Sequence, residues 1–533
     1  MSTALAPRTA AAGLWTGTLS LLRLALRRDR VRLSIWLAAL TLMMVYAPNA
    51  IKLAYPDEAQ RQARVNLMKT PAAIIMGGPM FGGNETDLGA MMANELMLTM
   101  IVATSILAIL TVIRHTRAEE ESGAAELVLS SVVGRYARTT AALILVGGVN
   151  AVLAVTMTLA MTSTGFGLVD SAAMCLGITG VAMVFGAVAA VTAQLWRQSR
   201  TATGAAMATL ALAVFVRGIG DVIDNSGSAL SWFSPIAWAQ QMRAFVDVRW
   251  WPFALLVALT LGMITLAATL ESRRQYDDGT IPSTGERPKA HSIRSVLGLH
   301  LTLQRGQTIG WSVGLFLGGL AFGSMTKSLL DAAKENELIQ RVLVAQGTDS
   351  VYTTMTQFLA AAATAYVVSA VLRVHGDEEK GLGEAVLAGA VSRWRWLLTA
   401  IASALIGSAV LMFFAGLGNG LGAGITLGEP GLIVRLTLAG LAFVPAMAVI
   451  AGIAALGVAV RRGWIGWLAV AFVVVSLYLG ALLRLPGWLL DLSPVGQTTA
   501  PSDYPVLALI VMIVVAAALT IAAGTIYRRR DAL

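Results

Sequence analysis

Long apolar runs recur along nearly the whole chain, and short polar segments separate them. Each run is long enough to cross a hydrocarbon core of about 30 Å as a helix. The pattern predicts an all-α polytopic membrane protein with about twelve transmembrane helices. The predicted spans are residues 33–54, 93–114, 138–162, 170–194, 200–222 and 251–270, and then 307–326, 352–373, 395–417, 431–457, 463–484 and 505–527.

The composition excludes a soluble globular protein. Only 13% of the 533 residues are charged, whereas soluble domains carry about 25%. The polar segments between the runs are also too short for a core of their own. The single cysteine, Cys175, lies inside an apolar run, so it can form neither an internal disulfide nor a cysteine-based metal site.

The net charge of +9 is interpreted as topology, because cytoplasmic segments of membrane proteins collect Lys and Arg. Basic clusters follow even-numbered spans, as at 197–200, 273–274, 461–462 and 528–530, which predicts that both termini are cytoplasmic. The predicted organisation is a cytoplasmic N-terminus with an interfacial helix (1–32), a first transmembrane half (33–270), a cytoplasmic linker with a second interfacial helix (271–306) and a second transmembrane half (307–533).

Two similar acidic loops follow the second and the eighth predicted spans. The first acidic loop (residues 119–135) and the second acidic loop (residues 377–393) share acidic residues, a glycine, a further glutamate and a final arginine. The offset is constant, since 384 − 126 and 393 − 135 both equal 258. Each half returns to the cytoplasm after six spans, so the halves are predicted to be parallel repeats related by an axis near the membrane normal.

Because the acidic loops recur at the same topological position in both halves, we expect them to do more than contact water. In each loop a short apolar-faced segment follows the acidic residues, which suits a surface helix that docks on a soluble protein. Two such loops predict two copies of that protein. The predicted docking residues are Glu119, Glu120, Glu121, Gly123, Glu126 and Arg135 in the first loop, and Asp377, Glu378, Glu379, Gly381, Glu384 and Arg393 in the second.

Catalytic and nucleotide-binding motifs are absent from the sequence. No G-x-x-x-x-G-K-[ST] phosphate loop occurs, so the chain has no Walker-type ATP site. The four histidines lack metal-ligand spacing, which argues against a metal site and against a membrane enzyme. A secondary drug antiporter stays open as an alternative. It would need ionisable groups inside the membrane, and Arg217 and Asp221, which can pair on one helix face, are the clearest candidates.

The loops resemble those of a known family, the actinobacterial antibiotic-exporter permeases of the tetronasin-resistance type within the ABC-2 permeases. The resemblance covers essentially the whole chain. The residues that carry it are His115–Glu121, Gly123, Glu126 and Val133–Arg135, the outer segments Arg217–Asp221, Leu230–Gln241 and Arg249–Pro252, and Glu378, Glu379, Glu384 and Val391–Trp396 in the second half.

The resemblance implies a type V ABC exporter fold in a bacterial plasma membrane. In that family the loop after the second span of each half is the coupling helix that contacts the ATPase. The implied partners are therefore two copies of a separate ABC ATPase, which would hold ATP and Mg, together with membrane lipids and a hydrophobic small-molecule substrate; no nucleic acid and no cofactor in this chain are expected.

One departure from the family pattern is that Ala124 and Leu382 stand where the family often has a basic residue. A permease that transmits force without transport also stays open.

The resemblance further implies that spans 1, 2, 5, 7, 8 and 11 line the substrate path. The candidate path residues are Trp36, Met43, Met44, Met97, Met100, Met207, Phe215, Trp311, Phe316, Met355, Gln357 and Phe358, and the Met and aromatic side chains among them form adaptable apolar surfaces that suit varied cargo. The candidate outer-gate residues are Arg217, Asp221, Ser234, Pro235, Ser493 and Pro494.

Overall fold

The regular secondary structure of the described residues consists of helices only. A computed structural model describes residues 13–69, 71–81, 86–123, 133–224, 227–274, 279–280, 295–335, 349–379, 381–389, 391–479 and 486–529. Within these ranges there is no strand, and eleven helices are long and apolar enough to cross a membrane. The prediction of an all-α polytopic membrane protein is confirmed.

The chain divides into two compact units, residues 1–287 and 288–533. The helices of unit 1 are α1 (Thr18–Ala54), α2 (Glu58–Met68), α3 (Pro71–Gly77), α4 (Leu88–His115), α5 (Arg117–Glu121), α6 (Ala137–Ser163), α7 (Leu168–Leu195), α8 (Ser199–Ile223), α9 (Pro235–Gln240) and α10 (Trp251–Arg273). Those of unit 2 are α11 (Val296–Glu335), α12 (Asp349–Glu379), α13 (Leu382–Leu387), α14 (Arg393–Leu427), α15 (Gly431–Leu441), α16 (Val444–Ala459), α17 (Trp464–Val474), α18 (Gly487–Leu490) and α19 (Val506–Arg529).

The first membrane helix of each unit is longer than its predicted span. Helix α1 contains 37 residues, and the stripe expected to form a separate interfacial helix is the beginning of that same helix, without a break at residue 32. Helix α11 contains 40 residues and likewise includes Val296, Leu297 and Leu301, which were predicted to belong to the second interfacial helix. No proline lies between residues 19 and 33 or between residues 296 and 307, so the helical backbone continues.

The second unit departs from the predicted spans at two places. The predicted span 431–457 bends at Ala442–Phe443, because Pro445 stands in the first turn of α16. The predicted span 463–484 begins as the short helix α17, and a π-helical segment, Val475–Leu479, follows it.

The two units pack their helices in the same order. In each unit the first long helix packs on the third, the second on the fourth and the fourth on the sixth. In unit 1 these pairs are α1 with α6, α4 with α7 and α7 with α10; in unit 2 they are α11 with α14, α12 with α16 and α16 with α19.

Glycines let α11 and α14 approach backbone to backbone. A Cβ added to Gly323 would lie 2.1 Å from the Asn419 carbonyl oxygen, and one added to Gly418 would lie 2.1 Å from the Phe316 carbonyl oxygen. Small residues at such interfaces permit the close packing that holds membrane helices together. This contact anchors the first helix of unit 2 to its third.

Replacing Gly323 with alanine is therefore expected to destabilise unit 2. Alanine normally favours a helix by about 1 kcal/mol over glycine, but here the added methyl group must push α14 away, at a cost of about 1–3 kcal/mol. Gly314→Ala on the same helix is the matched control, because no atom lies within 4 Å of its Cβ position. Thermal unfolding in detergent should show a lower midpoint for Gly323→Ala only. Equal midpoints for the two variants would contradict the packing argument.

Candidate functional site

A glycine in a left-handed conformation shapes each acidic loop. Helix α4 ends at His115, the one-turn helix α5 follows, and Gly123 then has φ +72°. In the second loop Gly381 has φ +66°. Nothing lies within 4 Å of either Cβ position. The backbone conformation, which glycine adopts without strain, therefore explains the residue type at both places.

A buried ion cluster surrounds Glu120. Its side chain is only 3% exposed, and it bonds to three arginines. Arg274, beyond α10, reaches its two carboxylate oxygens at 2.7 and 2.9 Å, while Arg117 and Arg138, from α5 and α6, complete the cluster. Buried charges persist when they are paired and hydrogen-bonded in this way. Glu120 thus joins the loop to the ends of α6 and α10.

Glu119 and its neighbours join the loop to α1. The Arg28 guanidinium donates to the Glu119 carboxylate at 3.1 Å. The buried carboxylate of the next residue, Asp29, lies 2.9 Å from Nε2 of His115 and 3.1 Å from Nε of Arg114. The end of α4 is therefore fixed against the early turns of α1 by ionic contacts.

Glu121 and Arg135 bind the ends of two further helices. The Glu121 carboxylate accepts hydrogen bonds from the Ser199 backbone N–H, at 2.9 Å, and from the Ser199 hydroxyl, at the first turn of α8. Arg135 donates to the carbonyl oxygens of Glu271, Ser272 and Arg274 at the end of α10. A carboxylate at a helix N-terminus and a guanidinium at a C-terminus both complement the helix dipole.

The residues before α1 cover the end of the first acidic loop. The backbone N–H of Gly134 donates to the Thr16 carbonyl at 2.9 Å, and that of Tyr136 donates to the Leu14 carbonyl at 3.1 Å. A Cβ on Gly134 would lie 2.4 Å from the Gly13 carbonyl oxygen. Sequence reasoning missed this contact, although the glycine of the Val133–Arg135 motif was its signal.

The second acidic loop is held differently. The Tyr527 hydroxyl donates to Glu378, and Arg373 lies 3.8 Å from the Asp377 carboxylate. Arg393 is the first residue of α14, whose N-terminus is capped by Ser392 accepting from the Arg395 backbone N–H at 3.2 Å. At the offset of 258 residues, His375 and Trp396 replace the two arginines at positions 117 and 138.

Part of the predicted docking set lies outside the described residues. Glu126 is in an undescribed segment, and the side chains of Glu379 and Glu384 are undescribed too. The docking role of both loops stays a prediction. Among the residues the structure does describe, no group of three His, Cys, Asp or Glu side chains is placed to hold a metal ion.

The candidate gate pair Arg217 and Asp221 lies buried at the opposite end of unit 1. Its predicted pairing is confirmed at 3.2 Å. The buried guanidinium also donates to the carbonyl oxygens of Ile74 and Ile75 near the end of α3, and Asp221 accepts from the Ser231 hydroxyl at 2.6 Å. The pair therefore fastens α3 and the segment after α8 onto the helix bundle, while a gating role is untested.

The two Ser-Pro pairs begin turns. The Ser234 hydroxyl accepts from the Ile236 backbone N–H at 3.3 Å and donates to the Ala213 carbonyl at 2.8 Å, with Pro235 as the first residue of α9. The Ser493 hydroxyl, in the turn that contains Pro494, accepts from the backbone N–H of Gly496 at 3.4 Å. These are capping contacts, and they leave a gate role as a prediction.

The candidate path residues do not share one environment. Met44, Met97 and Met100 belong to the buried core of unit 1, and Met355 is buried in unit 2. Gln357 donates to the carbonyl oxygens of Gly496 and Thr498, each at 3.2 Å. The others are partly or largely exposed on their units: Trp36, Met43, Met207, Phe215, Trp311, Phe316 and Phe358. A path role for any of them stays a prediction.

Known proteins resemble the chain over nearly its full length. It is 36% identical to the multidrug efflux system permease protein Rv1217c of Mycobacterium tuberculosis over 97% of this chain and 95% of that protein. The family model described as the C-terminal domain of multidrug efflux system permease Rv1217c matches residues 293–528. The similarity to a permease indicates a transport subunit rather than an enzyme, and the eleven apolar helices of the described residues agree with a multi-pass membrane protein. The chain belongs to the family of the multidrug efflux system permease Rv1217c.

Proposed function

We propose that this chain is the membrane permease of an ATP-driven ABC exporter that removes hydrophobic drugs from the cell. The ATP-hydrolysing subunit would be a separate chain, which docks on the two acidic loops at the cytoplasmic side. The supporting observation is that residues of the first acidic loop bond to α1, α6, α8 and α10 at the same end of unit 1.

Those bonds suit the loop to transmit force. A surface loop without internal contacts would deform when a partner pushed on it. Here the Glu120 carboxylate and three guanidinium groups form a buried junction among α5, α6 and α10. A push on the loop would therefore displace several helix ends together, which is the motion an exporter needs.

The second acidic loop supports docking of a second ATPase copy. It follows a helix that pairs within unit 2 as α4 pairs within unit 1, and its glycine adopts the same left-handed conformation. Drug efflux is proposed from the printed name of the mycobacterial relative. Cytoplasmic termini are proposed from the charge distribution.

The two loop glycines offer a test of coupling. Valine at Gly123 and Gly381 should distort both loops, because β-branched residues are strongly disfavoured at positive φ. Asparagine tolerates this conformation and provides the matched control. We expect Gly123→Val/Gly381→Val to lose ATPase co-purification and drug-stimulated ATP hydrolysis by about tenfold or more, a free-energy change of about 1.4 kcal/mol. Gly123→Asn/Gly381→Asn should retain both.

The assay uses the full chain in detergent with a candidate ABC ATPase from the same genome. Circular dichroism would verify that both double variants are folded. Unchanged association and hydrolysis with the folded valine variant would contradict the coupling assignment.

A further inference from the structure

A cleft opens at the end of unit 1 opposite the first acidic loop. It lies between the first turns of α4, residues 77–81 after α3, and residues 240–246 after α9. Its empty volume of about 540 Å³ includes the open mouth, so only part of that space is enclosed. Apolar walls come from Met80, Phe81, Met97 and Val246.

The polar groups on one wall of the cleft already have hydrogen-bond partners. The buried Arg64 donates to the Glu95 carboxylate and to the Asn94 side-chain oxygen, both at 2.8 Å. Asn94 in turn donates to the Gly78 carbonyl at 2.9 Å. These groups shape the cleft and have no need of a ligand.

Gln240, by contrast, keeps an unused acceptor. The residue is only 6% exposed, and its amide N–H donates to the Gly77 carbonyl at 3.3 Å. Its Oε1 atom is buried and has no hydrogen-bond partner in the part of the chain that the structure describes. The amide is assigned in this orientation because exchanging its N and O would place Oε1 against the Gly77 carbonyl oxygen. A buried acceptor without a donor is costly, and a ligand donor would remove that cost.

Arg243 supplies a cation beside this acceptor. Its guanidinium stacks 4.8 Å above the Phe81 ring, and no carboxylate of a described residue lies within 4.0 Å. Its backbone has φ +52°, and that of Phe245 has φ +66°. Two strained non-glycine residues in one short segment are typical of functional sites.

We propose that this cleft binds an amphiphile that carries an anionic oxygen close to a hydroxyl or N–H donor. The anion would pair with Arg243, the donor would bond to Oε1 of Gln240, and the apolar part would contact Met80, Phe81 and Met97. Both a lipid headgroup with hydroxyls and a free hydroxy acid offer this chemistry. The proposal does not depend on the ATPase partner, so it can fail while the coupling proposal stands.

The test measures binding of 3-hydroxydecanoate to the full chain in phosphatidylcholine nanodiscs by calorimetry. Decanoate lacks the donor, and methyl 3-hydroxydecanoate lacks the charge. We expect 3-hydroxydecanoate to bind about fivefold more tightly than decanoate and about tenfold more tightly than the ester.

Variants assign these preferences to residues. Gln240→Met should abolish the preference for the hydroxylated acid while leaving decanoate affinity unchanged. Arg243→Asn, which tolerates the left-handed backbone, should weaken binding of both acids about tenfold but leave the ester unaffected. Arg249→Asn, at an exposed arginine that does not line the cleft, is the control.

The lipid composition distinguishes the two sources of ligand. Weaker probe binding in phosphatidylglycerol than in phosphatidylethanol nanodiscs, whose headgroup carries the same charge but no hydroxyl, would assign the site to a lipid headgroup. Equal binding in the two would assign it to a free amphiphile; both support an anion site. Equal affinity for all three probes, or wild-type affinity and selectivity in Arg243→Asn, would overturn the proposal.

Discussion

Replacing Glu120 with glutamine is expected to destabilise unit 1 by about 3 kcal/mol or more. The carboxylate is buried among Arg117, Arg138 and Arg274. The neutral amide keeps the shape but leaves three positive charges close together without their counter-ion. Removing one member of a buried ionic group is costly because the desolvated partner charges remain.

Glu119→Gln is the matched control, one residue away and chemically identical. Glu119 pairs with Arg28, whose side chain is 53% exposed, and lies 3.4 Å from Nδ1 of His115. A partly exposed pair of this kind contributes about 1 kcal/mol or less. Thermal unfolding in detergent should lower the midpoint by roughly 5 °C or more for Glu120→Gln, and by much less for Glu119→Gln. Similar midpoints for the two variants would show that the cluster does not hold the loop.

Replacing Arg217 with methionine should have an effect of similar size at the other end of unit 1. The change leaves the Asp221 carboxylate buried with only the Ser231 hydroxyl, and it removes the donor to Ile74 and Ile75. We expect a loss of about 3–5 kcal/mol in the free energy of unfolding. Tryptophan fluorescence during thermal unfolding would measure the change.

A double variant separates the ion pair from simple packing. Arg217→Met/Asp221→Leu removes both charges, so it should recover part of the stability lost in the single variant. Arg249→Met serves as control, since its pair with Asp247 is exposed. If the double variant is less stable than Arg217→Met, an unpaired Asp221 charge cannot be the cause of the stability lost in the single variant.

The apolar runs were sufficient to predict the class of fold. A span needs only length and low polarity, and the structure has eleven such helices in the described residues. Helix continuity was harder to predict. The break before Pro445 had a visible signal, whereas the π-helical segment after α17 lies in an unbroken apolar run. Nothing in the hydropathy pattern marks this change of backbone conformation.

The acidic loops show the same limit at the level of single residues. Glu119, Glu120 and Glu121 are consecutive and chemically equal in the sequence. The structure gives them separate partners on α1, on the buried arginine cluster and on α8, because the turn of α5 points them in different directions. Their repetition in two halves was visible in the sequence, and their partners were not, since Arg274 lies more than 150 residues away.

The offset between the halves also concealed a difference. It pairs Glu120 with Glu378 as loop positions, yet the described partners include the Tyr527 hydroxyl at Glu378 and three arginines at Glu120. The replacement of Arg138 by Trp396 at the same offset was the available sign that the two junctions differ.

Transport in inside-out vesicles tests the central proposal most directly. Vesicles containing this chain and its candidate ATPase would be supplied with ATP, and accumulation of the dye Hoechst 33342 would be followed by fluorescence. We expect dye accumulation that requires ATP and a catalytically intact ATPase, and that persists when a protonophore removes the proton gradient. Accumulation that persists without the ATPase and disappears with the protonophore would identify an antiporter and contradict the account.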